Sequence, residues 1–154
     1  MDIADILPRE GVVADLRAES KRHALEELAK LAGPMAGVHE RTVFDVLLER
    51  ERLGTTGVGH GVAIPHGKLE GLPRLYALFA RISQPIPFDA IDDRPVDLIF
   101  LLLAPQDAGA DHLKALARVS RLLRDTRFCG RLRAAKDANA LYALLLEGPA
   151  SRAA

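Results

Sequence analysis

The sequence predicts an α/β fold in which a mixed, mostly buried β-sheet lies between helices on both of its faces, forming a three-layer sandwich. Residues 75–82 and 96–104 predict the sheet, because they are short, nearly continuous apolar runs bounded by Pro, Gly and Asp, as buried strands are. Residues 20–33 and about 40–53 predict helices, because their apolar residues repeat at helical spacing. Both helices are amphipathic, so each is expected to cover one side of the sheet.

The two N-terminal helices have recognisable ends. Ser20 is a good N-cap for the first helix, and Gly33-Pro34 is expected to end it. Gly54 is expected to end the second helix. The apolar positions that define the two faces are Leu25, Leu28, Ala29 and Ala32 in the first helix and Val43, Val46 and Leu47 in the second.

Weaker patterns predict three further strands. Residues 12–16 and 62–64 are short segments of strand-forming residues. Residues 85–89 are predicted to form an edge strand, since their prolines cannot donate to a β-ladder.

The C-terminal third of the chain is predicted to be helical. After Pro105 a loop leads to a third helix at about 111–124, for which Asp111 is the expected N-cap. Two more helices are predicted at residues 126–135 and 137–147.

Length and composition restrict the possible functions. The 154 residues predict one domain, residues 1–147, followed by a flexible C-terminal tail, residues 148–154. Lys plus Arg and Asp plus Glu both number 21, so the chain lacks the basic excess of a nucleic-acid-binding protein. Its longest apolar run, residues 98–104, is far shorter than the ~20 residues of a membrane-spanning helix. We therefore expect no nucleic-acid partner and no membrane insertion. The acidic N-terminal residues differ from a secretory signal, so we also expect a cytoplasmic protein.

Residues 54–68 form the most unusual segment of the chain, since they hold five of its 12 glycines. Such density indicates that the backbone shapes this region. The glycine spacing does not match G-x-G-x-x-G, and the stretch from Gly61 to Lys68 is one residue too long for a P-loop and has no Ser or Thr after the lysine. A nucleotide-binding loop is therefore not predicted.

His66 is the residue of this segment that is suited to chemistry. It follows a predicted strand and a proline and precedes a glycine, and strand ends are where ligands bind in α/β folds. An imidazole titrates near pH ~6.5, keeps an unprotonated nitrogen in the cell and can attack phosphorus. A histidine in a glycine loop is also compatible with a purely structural role.

Arg50 and His112 favour the chemical interpretation of His66. Arg50 continues the apolar stripe of the second helix, so its charge needs a partner, either a phosphoryl group or a carboxylate such as Glu49 or Glu51. His112 lies in the first turn of the third helix, where the helix dipole disfavours imidazolium and the free backbone amides favour an anion. A histidine at a helix start is also compatible with a simple surface position.

No metal site or cofactor is predicted. His60 and His66 would supply only two ligands without the spacing of a known site. His23 and His39 are expected to be solvated. Cys129 is the single cysteine, so an internal disulfide is impossible, and we expect it to be buried as a small apolar residue. The hydroxyls of Thr55 and Thr56 are expected to shape the turn or to bond to His66 or to phosphate.

The segment Glu49-Arg50-Glu51 followed by Gly-Thr-Thr-Gly-Val-Gly-His-Gly-Val-Ala-Ile-Pro-His-Gly-Lys at 54–68 resembles the signature of the phosphotransferase-system enzyme IIA domains of the mannitol/fructose class, most closely their nitrogen-regulatory members. The resemblance covers nearly the whole chain. It implies a phosphotransferase component without a cofactor, in which His66 is phosphorylated on Nε2 by a small histidine phosphocarrier protein that enzyme I charges from phosphoenolpyruvate. It also implies that Arg50 and His112 line the pocket and that Thr56 orients the His66 ring. His60 departs from the pattern, since relatives often have Asn or another polar residue there.

Three functions remain open at this point. The first is a regulatory phosphocarrier of the nitrogen type, whose phosphorylation state signals to targets such as transporters or sensor kinases. The second is a sugar-uptake component that passes the phosphoryl group to a separate IIB domain. The third is a binding module that acts without phosphorylation.

Overall fold

A six-stranded mixed sheet forms the middle layer of the protein, which is described here by a computed structural model covering residues 2–149. The strands are β1 (Val12–Leu16), β2 (Gly57–Gly59), β3 (Val62–Ala63), β4 (His66–Leu69), β5 (Tyr76–Ile86) and β6 (Val96–Pro105). The helices are α1 (Ile3–Ile6), α2 (Lys21–Ala36), α3 (Glu40–Leu53), α4 (Ala110–Arg124), α5 (Thr126–Ala134) and α6 (Ala138–Glu147), and a 3₁₀ turn covers Arg9–Gly11.

Strand β6 organises the sheet. The order is β1-β5-β6-β3-β2, with β4 also paired to β6. β5 runs antiparallel to β6, whereas β3 and β4 are both parallel to it and follow one another along the same edge. The two short strands are separated at Pro65, whose carbonyl still accepts the Leu102 N–H at 3.0 Å. β3 and β4 therefore act as one interrupted strand that places His66 opposite Leu102.

Side-chain alternation along β6 divides the core into two layers. Ile99, Leu101 and Leu103 pack with residues of α2 and α3 on one face. Leu98, Phe100 and Leu102 pack with residues of α1 and of α4 to α6 on the other. Because successive strand residues point to opposite faces, a continuous apolar run fills both layers. The predicted α/β sandwich with helices on both faces is confirmed.

Several predicted elements agree with the structure within a few residues. β1 and α3 have the predicted bounds, and β3, β6, α4, α5 and α6 differ from their predictions by one residue at an end. β2, β4 and the short helix α1 had not been predicted. Cys129 is buried as expected, and burial raises the pKa of its thiol.

The predicted end of the first helix was wrong. α2 continues through Gly33-Pro34 to Ala36. A residue before proline normally avoids helical geometry because its Cβ meets the proline ring, and Gly33 has no Cβ. The helix ends instead at Gly37, which adopts a positive φ of 72° while its N–H and that of Val38 both donate to the Gly33 carbonyl.

Two further predictions were wrong. Residues 85–89 do not form an edge strand, since Pro85 and Ile86 continue β5, which lies between β1 and β6, and Ile86 pairs with Val96 past an irregularity in the ladder. Asp111 is not the N-cap of α4, because the helix begins one residue earlier and Gly109 occupies the cap. The spacing of apolar residues does not reveal bulges or glycine caps.

Of residues 148–154, only Gly148 and Pro149 lie within the described part of the chain, so the predicted tail falls mostly outside it. Between residues 2 and 149, no helix is both long and apolar enough to cross a membrane.

Gly67 joins β4 closely to α3, which gives a first prediction. A Cβ at this position would lie 2.5 Å from Cγ1 of Val46, a β-branched side chain that is stiff in a helix. We expect Gly67→Ala to lower the free energy of unfolding by about 1–3 kcal/mol, measured by denaturant titration. Gly130→Ala is the control, because a Cβ there meets nothing within 4 Å, and its effect should stay within about 1 kcal/mol.

Adding Val46→Ala to Gly67→Ala should recover part of that loss, since the double substitution makes room for the new methyl group. Equal stability of Gly67→Ala and the wild-type protein would contradict this account of the β4–α3 contact.

Candidate functional site

His66 begins β4, directly after the interruption at Pro65. Within β4 the odd-numbered positions Gly67 and Leu69 are buried, and Gly67 faces Val46 of α3. His66 therefore faces the other side of the strand, as does its ladder partner Leu102, which belongs to the core beneath α4. This arrangement directs the His66 ring towards the start of α4 while leaving it half-buried.

The two ring nitrogens of His66 have different partners. Nδ1 lies 2.8 Å from the carbonyl oxygen of Ile64, which can only accept a hydrogen bond. Nδ1 must therefore carry the proton of the neutral ring. Nε2 is left with a lone pair, and it accepts a hydrogen bond from Nε of Arg50 at 3.3 Å. The ring is held in one tautomer, with its unprotonated nitrogen beside Arg50.

Arg50 reaches His66 from the last turn of α3. Besides the bond to His66, its Nη1 donates to the Gly54 carbonyl at 2.9 Å. Neither Glu49 nor Glu51 forms an ion pair with it among the described residues. Of the two partners considered from the sequence, a carboxylate is therefore excluded within residues 2–149, and the guanidinium keeps hydrogen-bonding capacity beside the His66 nitrogen.

His112 completes a cluster of three side chains. It lies in the first turn of α4, is buried, and its ring meets that of His66 edge to face with centroids 5.7 Å apart. Its Nε2 has no hydrogen-bond partner among the described residues. An unsatisfied buried polar nitrogen costs roughly 1–3 kcal/mol, so a polar ligand atom within hydrogen-bond distance of this nitrogen would recover this energy.

Both histidines of the site are held neutral. Burial is the main cause that lowers the pKa of His66, the positive charge of Arg50 lowers it further, and the Ile64 carbonyl and the Glu51 carboxylate oppose them. Burial also lowers the pKa of His112, with smaller contributions from His66 and Lys68. The sequence predicted a neutral His112 from the helix dipole, whereas burial is the main cause that lowers its pKa. At neutral pH the Nε2 lone pair of His66 is available.

The hydroxyl of Thr56 does not contact His66. It donates to Oε2 of Glu51 at 2.6 Å, and the Thr56 N–H donates to Oε1 of the same carboxylate at 2.7 Å. The link to the ring is indirect, because the Thr56 carbonyl accepts the Ile64 N–H at 3.0 Å and the Ile64 carbonyl holds the ring. Thr55 shapes the turn through bonds to Phe88 and Gly57.

His60 lies apart from this cluster. It is exposed in the turn between β2 and β3, with a positive φ of 55°, and its backbone bonds to Asp92 and Arg133. No group of three potential metal ligands occurs within residues 2–149. His39 is exposed and accepts the Arg41 N–H, whereas His23 is half-buried and accepts the Glu19 N–H.

Two residues of the site were given no role of their own from the sequence, where Glu51 was considered only as a possible partner of Arg50. Glu51 lies four residues after Leu47 and seven after Phe44, so helical spacing already placed it on the buried stripe beside Arg50. Lys68 lies two residues after His66 in β4 and therefore on the same face of the strand, and its charge acts on His112. The strand itself had not been predicted, so the period of two could not be applied.

Comparisons with known proteins agree on one family. The family described as "Phosphoenolpyruvate-dependent sugar phosphotransferase system, EIIA 2" matches residues 5–148. A nitrogen regulatory protein of Bradyrhizobium diazoefficiens is 55% identical over 99% of this chain and 100% of that protein. A fructose-specific EIIA component from Haloferax volcanii is 42% identical over 79% of this chain and 80% of that protein. The crystal structure of nitrogen regulatory protein IIA-Ntr from Neisseria meningitidis is similar with a TM-score of 0.89 and 36% identity, covering 93% of this chain and 98% of that one.

The Arg50–His66 contact predicts the sign of a pKa change. Arg50→Met removes a positive charge that disfavours imidazolium but keeps a side chain of similar length, so the pKa of His66 should rise while staying below its ordinary value because of burial. Titration of the ring by NMR measures this change. Arg52→Met, an exposed arginine two residues away on α3, should leave the pKa unchanged. A fall of the His66 pKa in Arg50→Met would contradict the geometry.

Proposed function

Because this chain belongs to the EIIA 2 family of the phosphoenolpyruvate-dependent sugar phosphotransferase system, we propose that it accepts a phosphoryl group on Nε2 of His66 and signals through its phosphorylation state. The donor in this proposal is a small histidine phosphocarrier protein, which enzyme I charges from phosphoenolpyruvate. The family is a phosphotransferase component, and the resemblance predicted from the sequence is confirmed.

One observation carries the proposal: the His66 ring is neutral, and its unprotonated Nε2 lies beside the guanidinium of Arg50. The Ile64 carbonyl keeps the proton on Nδ1, and burial keeps the second proton away. A nucleophile must have a free lone pair at the attacking atom. An imidazolium ring, or a neutral ring protonated on Nε2, would have no lone pair on Nε2.

The transfer step is balanced without an additional base. The Nε2 lone pair forms a bond to phosphorus while the bond from phosphorus to the donor's histidine nitrogen breaks, and that electron pair returns to the donor ring. The proton on Nδ1 of His66 stays on Nδ1, where the Ile64 carbonyl stabilises the positive charge that the ring gains. Such a transfer requires mainly alignment and charge stabilisation around the equatorial oxygens.

Three groups are placed to stabilise those oxygens. Nε–H of Arg50, which bonds to Nε2 of His66 in the free protein, would bond to a phosphoryl oxygen once that nitrogen is occupied. The neutral His112 ring would donate from its unpartnered Nε2. Lys68 adds a positive charge on the same face of β4. Each group acts where negative charge is spread in the transition state.

The surroundings of the site suit an apolar docking surface for the donor. Leu53, the last residue of α3, is 82% exposed, and Leu113, next to His112, is 69% exposed. Exposed leucines on the two helices that supply Arg50 and His112 can be covered by a partner protein, which would exclude water from the transfer. We therefore propose that the donor docks over the C-terminal end of α3 and the N-terminal end of α4.

Phosphorylation would change this surface from apolar and basic to locally acidic. A phosphoryl group carries about −1.5 to −2 charges at pH 7, enough to release one partner and recruit another. The 55% identity to a nitrogen regulatory protein over nearly the whole chain favours regulatory targets, such as transporters or sensor kinases. The 42% identity to a fructose-specific EIIA component supports a second candidate, transfer to a separate IIB domain in sugar uptake.

Intact mass spectrometry with phosphoenolpyruvate, enzyme I and the histidine phosphocarrier tests the proposal. We expect one acid-labile phosphoryl gain that His66→Ala abolishes. His60→Asn, which keeps a residue tolerant of positive φ in the same glycine-rich segment, should leave it intact. If no phosphoryl group is gained with cognate partners, the phosphocarrier hypothesis is rejected, and a binding module that acts without phosphorylation remains. Subsequent loss of the group to a fructose IIB domain would favour sugar uptake over regulation.

The docking surface predicts a change in KM alone. Leu53→Asp should raise the KM for the phosphocarrier by about tenfold with little change in kcat, because Leu53 contacts the partner in both the bound and transition states. Leu146→Asp is the control, since Leu146 is also exposed but lies on α6, which packs beside β1 at the far edge of the sheet. Steady-state phosphorylation rates measure both constants, and an unchanged KM in Leu53→Asp would rule out this surface.

A further inference from the structure

Glu51 is a buried carboxylate in the last turn of α3, and the transfer step described above does not use it. Its side chain is only 3% exposed. Oε1 accepts the Thr56 N–H at 2.7 Å, and Oε2 accepts the Thr56 hydroxyl at 2.6 Å. A carboxylate with two bonds to one residue five positions later fixes the short segment after the helix in a single conformation.

The burial of Glu51 is balanced by Lys21. The Nζ of Lys21 lies 3.0 Å from Oε1 of Glu51, and the ammonium also lies over the ring of Phe88 at 5.0 Å from its centroid. A buried carboxylate without a partner would be strongly destabilising. Lys21 and Thr56 together satisfy both oxygens, so the charge can be kept inside the protein.

Hydrogen bonds connect this carboxylate to the catalytic ring. Thr56, held by Glu51, accepts the Ile64 N–H through its carbonyl at 3.0 Å. The Ile64 carbonyl in turn accepts the proton of His66 Nδ1 at 2.8 Å. The position of the carbonyl that selects the His66 tautomer therefore depends on the segment that Glu51 fixes.

One helix end consequently acts on both ring nitrogens. Arg50 contacts Nε2 directly, and its neighbour Glu51 acts on Nδ1 through Thr56 and Ile64. Because the two residues are adjacent in α3, a shift of the helix end would move both contacts together. This couples the direction of the ring to the position of its guanidinium partner.

We propose that Glu51 is a positioning residue for phosphoryl transfer: by holding Thr56, and through it the Ile64 carbonyl, it keeps the His66 ring aligned and protonated on Nδ1. The role is one of geometry, and the carboxylate touches neither His66 nor the phosphoryl group. The charge of Glu51 and the Ile64 carbonyl also both raise the pKa of His66, because each favours the positively charged ring.

The expected effect of Glu51 on the transfer rate rests on the proposed function. Its effect on the His66 tautomer does not, because the tautomer can be measured in the unphosphorylated protein. We would compare Glu51→Ala and Glu51→Gln with the wild-type protein by ¹⁵N NMR of the His66 ring and by the rate of phosphorylation. Gln can replace Glu in the network, because its oxygen can accept from Thr56 N–H and Lys21 while its amide donates to the Thr56 hydroxyl.

We expect Glu51→Ala to show a mixture of His66 tautomers and a fall in kcat of about tenfold or more at unchanged KM, since small misalignments are costly in positioned reactions. Glu51→Gln should keep the Nδ1–H tautomer and remain within about threefold of the wild-type rate. Glu49→Ala, an exposed carboxylate two residues earlier, is the matched control and should change neither quantity.

If Glu51→Ala does not fold, the double variant Lys21→Met/Glu51→Met replaces it, because removing the buried carboxylate together with its partner charge is better tolerated than removing one of the two. A folded variant without the carboxylate that keeps both the Nδ1–H tautomer and the wild-type rate would overturn the proposal. Glu51→Gln that behaves like Glu51→Ala would also overturn it, since the effect would then come from charge. If the wild-type protein accepts no phosphoryl group, the proposed function fails, and the tautomer alone decides the role of Glu51.

Discussion

The hydrogen bond from Nδ1 of His66 to the Ile64 carbonyl is the contact on which the proposed phosphoryl transfer depends. A carbonyl oxygen cannot donate, so this 2.8 Å contact determines which ring nitrogen carries the proton. The bond exists because Pro65 interrupts the strand between β3 and β4, which turns the ring of residue 66 back onto residue 64 while β6 still pairs with both strands. Sheet geometry therefore selects the ring nitrogen that is left unprotonated.

The last turn of α3 and the glycine-rich segment after it supply the remaining contacts of the site. Gly67 lets β4 approach Val46, which brings the helix end close enough for Arg50 to reach Nε2. His112 approaches from α4, after the end of β6. The site is thus assembled where three elements of the sandwich meet. In the proposed function a phosphoryl group would contact the unpartnered nitrogen of His112, and the donor protein would cover the exposed Leu53 and Leu113.

Much of this arrangement could be predicted from the sequence, because strong periodicity and a long glycine pattern specify it. Arg50 was found because it lies on an apolar stripe. Glu51 satisfies the same test, but it was considered only as a possible partner of Arg50 and not as the partner of Thr56. The hydroxyl of Thr56 could not be assigned, because its partner depends on how the segment after α3 folds back. β2 and β4 are short and rich in glycine, so no alternation reveals them, and the continuation of α2 depends on a missing Cβ at Gly33.

The most direct test of the central claim is to identify the phosphorylated atom. In protein with ¹⁵N-labelled histidine, phosphorylated by its phosphocarrier, NMR coupling between phosphorus and nitrogen distinguishes the two ring positions. Our account predicts coupling to Nε2 of His66, with Nδ1 keeping its proton on the Ile64 carbonyl. A phosphoryl group on Nδ1, or on a residue other than His66, would contradict it.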